Sequence, residues 1–275
     1  MMNFIGAMRW IAIALGLVFA GAANSADVQP TRLTVTGAST IAPLMADIAK
    51  AHEIKYPNIR TDVQTGGTSR GITDVRKQTA QIGMVSRALY DNEKDLRSVL
   101  IARDGIAMIV NKANSVQKLS RDQVIAIYSG KVRNWKEVGG PDMPITVVSK
   151  AEGRSTLDIF SNHFGLPYRA IKAHVIVGDN QQEIMTISGN KGSIGYVSIG
   201  SAEYEQEHGA PIKLVQLDNL MPSTKSVADG TYSIARDLNL VYREPLSPEA
   251  RSLLDFSTSP AAKKLITANF FIPVP

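Results

Sequence analysis

The chain has 275 residues, of which 44% are hydrophobic and 20% charged, with a formal net charge of +5; that suits one large globular domain or two small ones and argues against disorder. Its cations are dispersed, and the longest basic runs are pairs such as Arg76-Lys77 and Lys263-Lys264, so a basic arm of the kind that binds nucleic acid is excluded and a small anion is the more economical partner. The absence of cysteine removes disulfides, thiolate metal sites and a cysteine-linked lipid anchor from consideration. Residues 1–26 carry one cation, Arg9, then an apolar run from Trp10 to Ala20 and small residues up to Ala26. That is the layout of a cleavable secretory signal, and the run is short for a membrane span of about 20 residues. A freely diffusing exported protein fits a periplasm.

From there, short β-rich runs alternate with amphipathic helical ones, which predicts an α/β fold with mainly parallel sheets. Arg32 to Thr36 reads as a strand, Gly37 to Thr40 as a loop, and the following helical run ends at Pro57. Ile59 to Gln64 reads as the next strand, residues 65–70 as a loop, Gly71 to Ala80 as a helix and Gln81 to Val85 as a strand. Two extended runs, residues 105–114 and 232–244, are candidates for paired hinge strands between lobes. On that reading residues 27–109 with 231–275 form lobe one and residues 110–230 form lobe two. Ser-Pro dipeptides at Ser247-Pro248 and Ser259-Pro260 open two C-terminal helices, because proline costs little in a first helical turn.

Four loops are rich in glycine or hydroxyls and flank predicted strands and helices: Gly37–Thr40, Thr65–Arg70, Ser86-Arg87 and Glu152–Thr156. A helix start offers unpaired N–H groups and the positive end of its dipole, so loops of this kind, if they converge, cage an oxyanion. Any single one is equally well read as an ordinary helix cap. Arg70, Arg87, Lys150 and Arg154 lie in or beside the loops. Arg87 and Arg154 are the better candidates for ligand contact, since a guanidinium can hold two oxygens at once; Arg70 also suits a solvated helix face.

Enzyme signatures are sparse. The four histidines, His52, His163, His174 and His208, form no HExxH pair, and neither a GxSxG elbow nor a Walker motif is present. Ser115 and Lys118 match SxxK, but its companion motifs are missing. Trp135 reads as a packing residue.

In order and spacing, GASTIAPLM, TGGTSRGI, IGMVSR, GIAMIVN, YSGKVRNWKEVGG, SKAEGRSTLDIF, GSIGYVS and the block from GTYSIARDLNLVY to STSPAAKKLI resemble the phosphate-binding proteins of Pst-type ABC importers, a type II periplasmic solute-binding family. The resemblance implies two α/β lobes joined by two hinge strands, inorganic phosphate in the cleft, delivery to the membrane permease subunits of an ABC importer, and a monomer that needs no cofactor or metal and is not an enzyme. By position, Ser39, Thr40 and Ile41 would hold one side of the phosphate, with Thr68 or Ser69 and Ser86 from the next loops. Lys150 stands where the family has arginine, and Arg154, Ser155 and Thr156 replace its Ser-Gly-Thr. Arg87 replaces an aspartate that accepts the phosphate proton in better-studied members. Glu152, the acid nearest a binding loop, is the substitute candidate. Sulfate or another oxyanion, or an exported phosphate-releasing hydrolase, are the alternative functions.

Overall fold

The structure, a computed structural model, describes residues 29–274; the expected signal segment, residues 1–26, lies outside them. The first strands and helices alternate as β1 (Thr31–Gly37), α1 (Ala42–Lys55), β2 (Ile59–Thr65), α2 (Thr68–Arg76) and β3 (Ile82–Val85), followed by the long β4 (Arg97–Asn111). Next come β5 (Lys118–Leu119), α3 (Arg121–Tyr128), β6 (Thr146–Lys150), α4 (Ser155–Phe164), β7 (Val175–Val177), α5 (Asn180–Gly189), β8 (Ser193–Ser198) and α6 (Ile199–Glu207). The chain closes with β9 (Ile212–Leu214), β10 (Gln216–Leu217), α7 (Thr224–Ala228), β11 (Ala235–Tyr242), α8 (Pro248–Ser257), α9 (Pro260–Ala268) and β12 (Ile272–Pro273).

The strands run β2-β1-β3-β11-β4-β8-β6-β7 across one curled sheet. β1 is parallel to β2 and β3, β6 is parallel to β7 and β8, and β4 and β11 run antiparallel to their neighbours. The change of partner along β4 divides the molecule. Its residues up to Gly105 pair with β11, whereas Ile106 to Val110 pair with β8. The chain returns beside this point, where the Ile106 N–H donates to the Ile234 carbonyl at 3.0 Å.

Apolar side chains collect into two main cores, one on each side of that crossing. Leu33, Val35, Leu44, Ile48, Leu238 and Leu253 belong to the first, and Ile109, Tyr128, Trp135, Phe160, Ile194 and Tyr196 to the second. Helix α1 joins the first core because Ala42, Leu44, Met45, Ile48, Ala49 and His52 recur at helical spacing and are all buried. His52 contacts Ser252 and packs between Tyr56 and Phe256, and burial pushes its pKa below the ordinary value. In the second core the fully buried Trp135 donates its indole N–H to the Gly192 carbonyl at 2.9 Å, which is a packing role. The C-terminal helices open as their Ser-Pro dipeptides predict, with Ser247 and Ser259 accepting from the Ala250 and Ala262 amides. Among the described residues, no helix is long and apolar enough to cross a membrane.

Backbone contacts lock the first three loops together at the C-terminal ends of β1, β2 and β3. The Gly37 carbonyl accepts from both Gly66 and Gly67 at 2.9 Å, and the Ala38 amide donates to Met84 at 2.9 Å. Gly37, at φ 135°, leaves no room for a side chain, since a Cβ there would lie 2.3 Å from the Met84 oxygen. Carboxyl ends of parallel strands are where open α/β sheets bind ligands.

Candidate anion-binding site

Loops from both sides of the crossing meet at one place. Thr40, buried just before α1, has a hydroxyl that accepts from Arg236 Nη2 at 3.1 Å and from Asn180 Nδ2 at 3.2 Å. With both lone pairs occupied, its O–H is left as a donor. Ser39 is half-buried in the same turn, and the buried Ile41 spends its amide on the Ala38 carbonyl at 3.1 Å.

The second, third and fourth loops share a chain of hydroxyls. The Ser86 N–H donates to Thr68 Oγ1 at 3.2 Å, and the Thr68 hydroxyl donates to Ser155 Oγ at 3.1 Å. Ser86 and Ser155 hydrogen-bond directly through their hydroxyls. Whichever of these two serves as donor, the other keeps a free O–H for a ligand. Ser69 is exposed, but its amide reaches across to the Gly153 carbonyl at 3.4 Å. Gly67, at φ 91°, permits this approach, because a Cβ there would sit 2.7 Å from Gly153 O and 2.8 Å from Arg154 Cδ.

The centre of the site is a residue that sequence reasoning passed over. Arg236 on β11 faces Asp104 on β4 as a direct cross-strand partner, and both side chains are 1% exposed. Its Nε and Nη2 donate to Asp104 Oδ2 at 2.9 and 2.7 Å, Nη2 also to Thr40, and Nη1 to Thr156 Oγ1 at 3.1 Å. One N–H on Nη1 remains for a ligand. Arg236 thus joins the loop before α1 to the start of α4. Asp104 and Asn180 were passed over as well; the available signal was an Arg-Asp pair in each of two otherwise apolar strand runs, Arg103-Asp104 and Arg236-Asp237, since charge inside a buried strand is costly unless paired.

The cations singled out in the sequence separate into two kinds. Arg87 is held by Glu93, with Nη1 and Nη2 donating at 2.6 and 2.8 Å and the guanidinium 3.6 Å from the Tyr90 ring centre. Lys150 is buried, donates to the Asp179 carbonyl at 2.9 Å and forms an ion pair with Glu183. Burial pushes Lys150 below its ordinary pKa and Glu183 above its own, each opposed by the other's charge. Arg70 is exposed and bonded to Asp74. Arg154, half-buried between Gly67 and Gly178, has no carboxylate partner among the described residues, and its Nε is buried without a hydrogen bond. Glu152 is exposed. The arginine and lysine charges at Arg236, Lys150 and Arg87 are each matched by an acid, so Arg154 supplies the uncompensated positive charge. A donor-rich, nearly neutral cage with one free guanidinium is suited to a small tetrahedral oxyanion.

The Arg87–Glu93 pair has a measurable consequence. Burial raises the Glu93 carboxyl, but hydrogen bonds from Arg87 and the Tyr90 N–H, together with the Arg87 charge, outweigh it and hold the pKa below its ordinary value. An acid depressed by folding contributes stability above its unfolded pKa of about 4.3 and loses it as pH falls through the folded value. The Glu93→Gln variant is therefore expected to lose stability at neutral pH and to show a shallower decline than the parent below about pH 4.3, read from urea midpoints against pH.

Two α/β lobes linked by two chain crossings, with a donor-lined cleft between them, define a periplasmic-binding-protein fold. The chain belongs to the PBP superfamily, whose domain model matches residues 24–261. It is 30% identical to a protein from Clostridium perfringens described as a phosphate ABC transporter substrate-binding protein and solved with bound phosphate, with a TM-score of 0.83 over 89% of this chain and 100% of that one. An ABC-type phosphate transport receptor from Vibrio cholerae is 28% identical, with a TM-score of 0.71 and coverage of 89% and 100%. The phosphate-binding protein PstS of Bacillus subtilis is 28% identical over 250 residues, covering 88% of this chain and 80% of the relative.

Proposed function

We propose that this chain is an exported, non-catalytic binding protein that captures inorganic phosphate between its lobes and presents it to the permease subunits of an ABC importer. The observation that carries the reading is the Arg236 bridge, which ties Thr40 on one side of the cleft to Thr156 on the other. The relatives described as phosphate-binding or phosphate-transport proteins support the choice of ligand. The ligand set is Ser39, Thr40, Thr68, Ser69, Ser86, Ser155, Thr156 and Arg154, to which Arg236 is added; Ile41, whose amide is spent on Ala38, leaves the set. Arg87 and Lys150 act through their acidic partners. Residues 1–26 direct export, and the mature protein works as a periplasmic monomer.

The lobes correspond to residues 27–109 with 231–275 and residues 110–230. The partner change at Gly105–Ile106 and the membership of Ile106 to Ile109, Tyr232 and Ile234 in the second core favour moving both crossings into those bounds, to Gly105–Ile106 and Ile234–Ala235. Opening at the crossings exposes the cage to water, and an anion that contacts both sides shifts the population to the closed form.

Sulfate is the second reading, because the carboxylates in the cage's wall are occupied: Asp104 by Arg236 and Glu183 by Lys150. Glu152 would have to swing inward to accept a phosphate proton. Calorimetric titration of the dialysed protein separates these readings. Phosphate binding with sulfate rejected supports phosphate transport; sulfate binding alone transfers the same cage to another oxyanion; heat from neither removes the cage.

A further inference from the structure

Beside the cage lies a second cluster that joins the two sides and contributes no ligand donor. Arg87 follows β3, and Tyr90 and Glu93 lie in the segment just beyond it, on the side of the first core; Asp158 projects from α4 on the other side. Arg87 is held by Glu93 and stacked on Tyr90, which leaves its Nε buried, without a hydrogen bond, and 3.8 Å from Asp158 Oδ2. Burial, and next the Asp158 charge, push the Tyr90 phenol pKa upward, which sets the carboxylate near that ring.

We propose that Asp158 is a catch: its contacts with Arg87 and Tyr90 form when the lobes close and hold the closed form shut over the bound anion. The inference rests on the binding reading above. Glu93 keeps Arg87 charged, oriented and stacked whether the cleft is open or closed, because both residues sit on the same side. Only Asp158 arrives from across the cleft. On closure it meets a guanidinium whose geometry is already fixed, so little side-chain freedom is lost in forming the contact. Burial pushes the Asp158 pKa upward, with Glu93 adding to this and Arg87 opposing it. Of the two charges that meet Asp158 on closure, Arg87 is the one that favours its carboxylate, and the buried Arg87 Nε has no hydrogen-bond partner of its own. The competing explanation is local: an acid in the first turn of α4 also stabilises that helix through its dipole.

The two explanations diverge in kinetics. Phosphate dissociation from the mature protein is measured by stopped flow for the parent, Asp158→Asn, Tyr90→Phe and the double variant, alongside melting of each without phosphate. A catch predicts dissociation faster by roughly three- to tenfold in Asp158→Asn, association within about twofold, an unchanged phosphate-free melting temperature, and a double variant less than additive. Tyr90→Phe tests the same contact if Asp158→Asn folds poorly. Unchanged dissociation, or a lower phosphate-free melting temperature as the sole effect, overturns the proposal. Failure of the parent to bind phosphate tells against the binding reading itself and is read before any variant is compared.

Discussion

Replacing Arg236 with alanine will abolish phosphate binding and lower stability by about 3–5 kcal/mol, the cost typical of stripping one partner from a buried ion pair. Asp104 would be left almost fully buried, with only the Gly200 N–H at 3.2 Å on its other oxygen. Thr40 and Thr156 would lose the donor they share. A double replacement, Arg236→Met with Asp104→Leu, distinguishes the two effects. Removing both charges in favour of apolar side chains of similar size is often neutral for folding, so the urea midpoint should recover while calorimetry still records no phosphate binding. Recovery of binding together with stability would reduce Arg236 to a structural residue.

Arg154→Ala is expected to act in the opposite manner, on binding alone. Its guanidinium is half-buried, has no acidic partner among the described residues, and keeps a buried Nε without a hydrogen bond. Its loss should therefore cost the phosphate-free protein little. A hydrogen bond to a charged group contributes about 1.5–3 kcal/mol, so phosphate affinity should fall by roughly 10- to 100-fold with the melting temperature unchanged. Arg154→Lys should retain part of the affinity, because an ammonium restores the charge without the two-pronged geometry. Equal affinities for all three proteins would remove Arg154 from the site.

How much of this could be read from sequence depends on the distance along the chain over which each signal acts. The β–α alternation, the Ser-Pro helix starts and the Gly- and hydroxyl-rich loops are local, and each marks its element directly. Convergence of those loops follows from strand order, for which the family resemblance supplied the expectation. Arg236 and Asp104 are 132 residues apart and become partners only through the register of β11 on β4, so no local pattern joins them. Arg87 looked free because its partner lies in a short turn at Asp91–Glu93 that bends Glu93 back under it. Lys150 misled for the same reason, since Glu183 approaches from α5. A charge in a loop is legible in sequence, whereas its neutralisation by a distant strand or helix is a property of the packed molecule.

That phosphate sits in the cage formed by the four loops and Arg236 can be seen in a crystal structure of the protein grown with phosphate. One phosphate is expected between the starts of α1 and α4, with oxygens about 2.7–3.1 Å from the Thr40 hydroxyl, Arg154 and the free Nη1 N–H of Arg236. Phosphate bound at another surface, or a cleft that closes without it, would contradict the claim.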